Sequence, residues 1–235
     1  MGYKAYDEYA EQYDSWFLQN ENVLLTELAL VAKCLRGAGR VLSIGCGSGL
    51  FEQLLERNYG IVVKDGVEPS VSMAEIARRR GMNVTIATAE ELDMPGEGEF
   101  DTLLFNGCPC YINDLHKAFC NTRRYLRPGG RVVVIDVPKE CSYAMLYNLA
   151  MTLGTWSHPL LEGIKPPMPY PIEFVAMANW RTTAEKVELL KAAGYGSFTF
   201  SQTLTAVPLH SNDSVEEPLD GCDKGSYVAV CAELQ

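Results

Sequence analysis

The spacing of apolar side chains divides the chain into helices and short strands. Apolar and aromatic residues recur every three or four positions over 5–18 and 23–35, which predicts two amphipathic helices. From residue 40 onward, short apolar runs alternate with helical segments. Strands are predicted at 40–44, 61–68, 83–88, 101–106 and 131–137, with helices at 50–57, 71–80 and 113–126. This alternation predicts an α/β fold with a mainly parallel sheet covered by helices on both faces.

The last part of the chain departs from this alternation. Residues 138–181 carry several aromatic side chains and a proline-rich stretch, and we interpret them as a cap inserted after the fifth strand. A helix is then predicted at 182–193, followed by strands at 197–205 and 226–232. About 20 residues without a helical pattern join these two strands, so we expect them to pair antiparallel at one edge of a mixed sheet.

Composition narrows the classes of function. The 235 residues are 47% hydrophobic and 21% charged, as in an ordinary globular protein, and we expect one domain over 1–235. A formal charge of −10 disfavours nucleic acid and anionic membrane surfaces as partners and favours a small-molecule substrate. The chain shows no signal-peptide core and no apolar run of about 18 residues, so a cytoplasmic protein is expected. Eight cysteines without the spacing of a disulfide scaffold are expected to be reduced.

A glycine-rich turn follows the first predicted strand. Gly45, Gly47 and Gly49 stand at alternate positions, where the backbone must let a ligand approach closely. A nicotinamide dinucleotide fingerprint would need glycine at position 50, which is Leu50, and this argues against an oxidoreductase of that kind. Glu68 ends the second strand, where a carboxylate can accept hydrogen bonds from ribose hydroxyls. The spacing between the glycine-rich turn and Glu68 indicates a nucleoside ligand.

Further segments have the order and spacing of the motifs of one enzyme family. They are Tyr13-Asp14 with Trp16, the turn 45–49, Glu68, residues 88–92 (Thr-Ala-Glu-Glu-Leu), Phe100-Asp101 and residues 126–130 (Leu-Arg-Pro-Gly-Gly). In these motifs the sequence resembles class I S-adenosylmethionine-dependent methyltransferases, most of all the small-molecule branch called methyltransferase type 11. The resemblance implies a Rossmann-like, doubly wound, seven-stranded sheet of order 3-2-1-4-5-7-6 with strand 7 antiparallel. The aromatic stripe at 6–17 could by itself belong to the core, but the resemblance favours a helical lid over residues 1–38.

The resemblance further implies S-adenosylmethionine as the cofactor. The implied contacts are Gly45, Cys46 and Gly47 for the methionine part, Glu68 for the ribose, Pro69 and Met73 for the adenine face, Thr88, Ala89 and Glu90 for the adenine edge, and Asn106 for the methionine amino group, with Gly49 in the same turn and Tyr13 in the lid. Two positions depart from the family, because many members have an acidic residue in place of Ser43 and an aspartate in place of Thr88. A missing hydrogen bond at position 88 costs about 1 kcal/mol, too little to change the assignment.

The acceptor is expected to be a small organic molecule. Tyr111 follows the fourth strand at the edge where this fold binds ligands, and we predict that it orients the acceptor. His158, in the cap, is the candidate for a general base. We further predict an aromatic acceptor pocket formed partly by residues 143–180.

Cysteines leave a second class of acceptor open. Cys46, Cys108, Cys110 and Cys141 all fall near predicted strand ends and could converge on a soft ion. The Cys-x-Cys spacing has no second pair and no histidine at ligand distance, so we favour structural thiols and predict no metal. A thiol or metalloid methyltransferase and a non-catalytic S-adenosylmethionine-binding regulator are the alternatives.

Overall fold

Eight strands form one sheet in the computed structural model, which describes residues 10–235. They are β1 (Val41–Ile44), β2 (Asp65–Val67), β3 (Asn83–Thr85), β4 (Phe100–Asn106), β5 (Leu126–Asp136), β6 (Tyr195–Thr203), β7 (Leu219–Asp220) and β8 (Tyr227–Leu234). Their order across the sheet is β3-β2-β1-β4-β5-β8-β6-β7. β1 to β5 pair in parallel, and β8 runs antiparallel to both β5 and β6. The predicted order, with an antiparallel last strand, is confirmed.

The sheet has one strand more than predicted. β7 is two residues long and pairs antiparallel with β6, with Ser201 opposite Asp220 and Gln202 opposite Leu219. The Gln202 side chain strengthens this edge by donating to the Asp220 carbonyl over 3.1 Å. Two residues show no periodic pattern, so hydrophobicity could not reveal this strand inside the predicted loop.

Helices cover both faces of the sheet. They are α1 (Ala10–Gln19), α2 (Glu21–Cys34), α3 (Leu50–Tyr59), α4 (Val71–Arg79), α5 (Leu115–Thr122), α6 (Ser142–Leu153), α7 (Ile172–Val175) and α8 (Thr183–Ala192). On one face α1, α2, α3 and α6 share a core with the sheet, where Leu28 is buried with Leu104. On the other face α5 and α8 do the same, with Phe119 buried beside Leu103. The doubly wound architecture follows from these two cores.

One predicted boundary moves because a strand is bent. The predicted helix 113–126 is α5 followed by a 3₁₀ turn at Arg123–Tyr125, and β5 begins at Leu126 instead of residue 131. Gly129 has a left-handed backbone (φ 74°), and the pairing of β4 with β5 is irregular at this end. A strand bent at a glycine has no continuous apolar run, which is why its first residues did not resemble a strand.

The described part of the predicted lid is mainly helical, and the predicted cap contains helices joined by irregular segments. Residues 5–9, with Tyr6 and Tyr9, lie outside the described part of the chain, and the rest of the first predicted helix is α1. The cap contains α6, a 3₁₀ turn at Pro159–Leu161 and α7. No helix among residues 10–235 is both long and apolar enough to cross a bilayer.

Candidate active site

The glycine-rich turn is hydrogen-bonded to the carboxylate of Glu68, which directly follows β2. Gly47 has a left-handed backbone (φ 55°), and a Cβ atom placed on it would point into open space. Its N–H donates to Glu68 Oε2 over 2.9 Å, and the Ser70 N–H donates to Glu68 Oε1 over 2.9 Å. Glu68 is only 6% exposed. The two bonds fix the plane of the carboxylate, and carboxylate oxygens are suitable acceptors for the hydroxyl groups of a ligand.

A cavity of about 170 Å³ opens at the carboxyl ends of β1, β2 and β4, and we call it the cofactor cavity. The predicted cofactor residues that line it are Tyr13, Gly45, Gly47, Glu68, Pro69, Met73, Thr88, Ala89, Glu90 and Asn106. Met73 is held in place because the Ser70 hydroxyl accepts its N–H over 3.2 Å at the start of α4. Apolar walls at Met73 and Ala89 and a fixed carboxylate at Glu68 match the base and the ribose of a nucleoside.

Cys46 and Gly49, also predicted to contact the cofactor, are directed elsewhere. The Cys46 side chain is buried in a cluster with Ala74 and Ala77 of α4. A Cβ atom on Gly49 would lie 2.7 Å from the sulfur of Met82, and the backbone there is left-handed (φ 73°). The structure thus assigns both residues to the packing of the turn against α4, and not to the cavity wall.

Ser43 forms a hydrogen bond with a carboxyl group from α3. Many members of the family that the sequence resembles have an acidic residue at this position. The Ser43 hydroxyl donates to Glu52 Oε1 over 2.7 Å, and both side chains are buried. Burial raises the pKa of Glu52, and the bond from Ser43 lowers it in part. Glu52 therefore places an acidic group beside the turn, although it comes from α3 and not from position 43.

A largely buried ion pair anchors α1 to the glycine-rich turn. The Ser48 hydroxyl donates to Asp14 Oδ1, and Arg80 Nη2 lies 2.6 Å from Asp14 Oδ2. Arg80 also donates to the Ser48 carbonyl over 2.8 Å. Since Asp14 follows Tyr13 directly, these contacts keep Tyr13 at the cavity wall.

A second cavity, of about 60 Å³, adjoins the first, and we call it the acceptor cavity. The two cavities share Tyr13, Asn106, Gly107 and Tyr111. The other walls of the acceptor cavity are mainly aromatic: Trp16, Phe17, Phe51, Tyr147, Tyr170, Trp180 and Tyr227, together with Glu27, Cys110, Asp136 and Val137. Part of this aromatic lining comes from the segment 143–180.

Ring contacts connect α1 with the cap around the acceptor cavity. Trp180 stacks on Tyr147 with ring centroids 5.6 Å apart, and Trp16 meets Tyr170 edge-on at 4.9 Å. Trp16 Nε1–H also donates to the Met168 carbonyl over 3.1 Å. Contacts of this geometry hold aromatic rings at defined positions. Contacts within the protein therefore hold the aromatic walls of the acceptor cavity together.

Two buried carboxyl groups line the acceptor cavity, and the sequence analysis did not identify either. Burial raises the pKa of Glu27 to about 8 and also raises the pKa of Asp136, which Lys186 partly offsets at 3.5 Å. Glu27 lies on the same helical stripe as Leu24, Leu28 and Val31, which are all buried. A carboxyl group at an apolar position of a helix was the signal that could have found it.

The cysteines near the strand ends do not meet at one place. Cys108 lines the cofactor cavity and donates to the Ile44 carbonyl over 3.0 Å. Cys110 lines the acceptor cavity. Cys141 caps α6 by accepting the Ala144 N–H. Burial raises the pKa of the thiols of Cys46, Cys108 and Cys110, which keeps them protonated. Within residues 10–235 no three side chains of His, Cys, Asp and Glu form a group that could hold a metal ion.

His158, the candidate base, lies in the cap in a local structural role. Its Nδ1 accepts the Leu160 N–H over 3.2 Å and so caps the 3₁₀ turn at Pro159–Leu161. It is not among the described residues that line either cavity. Tyr111, by contrast, stands where the two cavities join.

Comparisons with known proteins extend these observations. A family model described as a methyltransferase domain matches residues 15–181. A crystal structure from Thermotoga maritima, described as an S-adenosylmethionine-dependent methyltransferase and possible histamine N-methyltransferase, is similar with a TM-score of 0.82 and 29% identity, covering 99% of this chain and 100% of that one. An uncharacterised protein of Methanocaldococcus jannaschii is 28% identical over 97% of this chain and 98% of its own. A demethylmenaquinone methyltransferase of Tropheryma whipplei is 26% identical over 72% of each chain.

Proposed function

The chain belongs to the methyltransferase-domain family and is an S-adenosylmethionine-dependent methyltransferase, and on this premise we propose that it methylates a small organic acceptor bound in the acceptor cavity. The observation that carries the proposal is the junction of the two cavities at Tyr13, Asn106, Gly107 and Tyr111. A cofactor in one cavity and an acceptor in the other would meet there. The small volume and aromatic walls of the acceptor cavity favour a small organic molecule.

The residues of the cofactor cavity would hold the cofactor by complementary chemistry. We assign Glu68 to the ribose hydroxyls, Met73 and Ala89 to the adenine ring, and Asn106 to the methionine end. When bound, S-adenosylmethionine supplies a methyl group that is electrophilic because it is attached to a positively charged sulfur. The chain's own contribution is to align the two reactants and to exclude water, and alignment can supply ~7–11 kcal/mol of the barrier.

Tyr111 and the lid would provide this alignment. Tyr111 lines both cavities, so its ring can contact an acceptor beside the cofactor. Tyr13 and Trp16 come from α1, and Trp16 is bonded to the cap through the Met168 carbonyl. We propose that α1 acts as a lid that closes the junction and shields it from water.

Methyl transfer itself tests the proposal. Purified protein is incubated with methyl-labelled S-adenosylmethionine and amines, alcohols, thiols and phenols of small size, and label in the acceptor is measured. We expect transfer to one of these classes, with Tyr111→Phe reducing kcat/KM for the acceptor while Tyr59→Phe, on the exposed end of α3, leaves it unchanged. Tight binding of S-adenosylhomocysteine with no transfer to any of these classes would contradict the proposal of a small organic acceptor.

A further inference from the structure

Glu27 is a buried carboxyl group on the wall of the acceptor cavity. It is 8% exposed, and no hydrogen bond or ion pair connects it with another described residue. Asp136, the other carboxyl group of this cavity, has Lys186 at 3.5 Å and accepts the Val137 N–H over 2.9 Å. A buried carboxylate is strongly disfavoured unless a positive charge accompanies it. A ligand could supply to Glu27 the charge that Lys186 supplies to Asp136.

The aromatic walls favour the same kind of ligand. Trp16, Tyr147, Tyr170 and Trp180 surround the acceptor cavity, and the faces of such rings attract organic cations. The formal charge of −10 also raises the concentration of small cations near the protein. Aromatic rings together with one unpaired carboxyl group match an alkyl ammonium ion, which presents an apolar body and one positive end.

Resting on the proposed function, we propose that the acceptor is an organic amine and that Glu27 binds its ammonium group and accepts the proton that the nitrogen must lose before methylation. A protonated amine has no lone pair with which to attack. Glu27 would therefore serve first in recognition and then as the general base.

The proton and electron balance of this step is complete. The ammonium ion gives one proton to the Glu27 carboxylate, which leaves a neutral amine with a free lone pair. That lone pair forms the new C–N bond while the bond between sulfur and methyl breaks, and the sulfur keeps its electron pair. The product is a methylated ammonium ion, and Glu27 keeps the transferred proton, which it releases to solvent when the next ammonium ion binds. The overall reaction releases one proton for each methyl group transferred.

The same proton makes amine binding measurable without turnover. Glu27 has a pKa near 8, so it is mostly protonated at pH 7 when no amine is bound. Protonated Glu27 and a free ammonium ion have two titratable protons between them, and the ion pair of the carboxylate with the bound ammonium ion has one. Binding at pH 7 should therefore release close to one proton. The other titratable groups that face Glu27 are Tyr13 from α1, Tyr143 and Tyr147 from α6, and Tyr227 from β8, and Asp136 of β5 lines the same cavity. The four tyrosines stay neutral at this pH because burial raises the pKa of each.

The experiment is calorimetric titration of the protein saturated with S-adenosylhomocysteine. The probes are n-butylamine with n-butanol and 2-phenylethylamine with 2-phenylethanol, so that each amine has an alcohol of the same carbon skeleton. Buffers of different ionisation enthalpy give the number of protons released. The variant is Glu27→Gln, and the matched control is Glu21→Gln, an exposed position on the same helix.

We expect the wild type to prefer at least one amine over its alcohol and to release close to one proton on binding it. Glu27→Gln should weaken amine binding about 10- to 100-fold and abolish the proton release, while alcohol binding and S-adenosylhomocysteine binding stay within twofold. Glu21→Gln should behave as the wild type. Unchanged thermal unfolding of the complex with S-adenosylhomocysteine shows that the variants are folded.

Three results would overturn the proposal. Equal affinity for each amine and its alcohol would show that the cavity does not recognise an ammonium group. Unchanged amine binding in Glu27→Gln would show that Glu27 does not bind it. Methyl transfer to an alcohol or thiol but to no amine would leave the proposed function intact and overturn only the amine. Failure of the wild type to bind S-adenosylhomocysteine would overturn the proposed function itself.

Discussion

Replacement of Glu68 by glutamine changes one charge at the centre of the cofactor cavity and keeps the size of the side chain. In the native protein the two carboxylate oxygens accept the N–H groups of Gly47 and Ser70, each over 2.9 Å. A glutamine offers one oxygen and one NH₂ group, so one backbone N–H would face another donor. The ribose hydroxyls would also lose a charged acceptor.

The expected size of the effect follows from these contacts. Hydrogen bonds to a charged group contribute about 1.5–3 kcal/mol, so the Kd for S-adenosylhomocysteine should rise about 10- to 150-fold in Glu68→Gln. Calorimetric titration measures this directly. Glu75→Gln, an exposed position on α4, is the matched control for loss of charge near the site and should bind as the wild type does.

Two results would refute the reasoning about Glu68. Unchanged affinity in Glu68→Gln would show that the carboxylate does not contact the ligand. An equal loss in Glu75→Gln would show that the effect is a general one of net charge. Thermal unfolding of the ligand-free proteins serves as the check that Glu68→Gln has kept the turn folded.

Three other substitutions test separate parts of the structure. Gly47→Ala forces a Cβ atom into a left-handed backbone, so urea unfolding should show a loss of about 1–2 kcal/mol, and thermal stabilisation by S-adenosylhomocysteine should disappear because the methyl group projects into the cavity. Asp14→Asn leaves Arg80 without its ionic partner and should lower the free energy of unfolding by about 1–3 kcal/mol in the same assay. Native Glu27 keeps a proton that the unfolded chain loses near pH 4.3, so this group makes stability fall between pH 5 and 8 by up to about 1.4 kcal/mol per pH unit. Glu27→Gln should remove that slope, and parallel pH curves for variant and wild type would contradict the raised pKa.

The sheet and the cofactor cavity could be predicted because their signals are local. Buried parallel strands are continuous apolar runs, and the turn glycines and Glu68 stand directly at strand ends, where parallel topology brings them together. The direction of a side chain within the turn carries no such signal. Cys46 was predicted to touch the cofactor, yet its sulfur packs on α4, because neighbouring residues of a tight turn point to different sides.

Contacts between distant segments could not be predicted. Asp14 lies on α1 and Arg80 directly follows α4, and no pattern in either segment shows that the two side chains meet. The acceptor cavity depends on the path of residues 138–181, which have no regular period to fix it. His158 was chosen for its chemistry alone, and the fold uses it to cap a 3₁₀ turn in the cap.

A crystal structure of the complex with S-adenosylhomocysteine tests the central claim most directly, because the claim concerns where two ligands meet. The account predicts the ribose hydroxyls at Glu68, the adenine ring between Met73 and Ala89, and the sulfur atom at the junction beside Asn106 and Tyr111, facing the acceptor cavity. A sulfur atom directed away from that cavity, or a nucleoside bound outside the cofactor cavity, would contradict it.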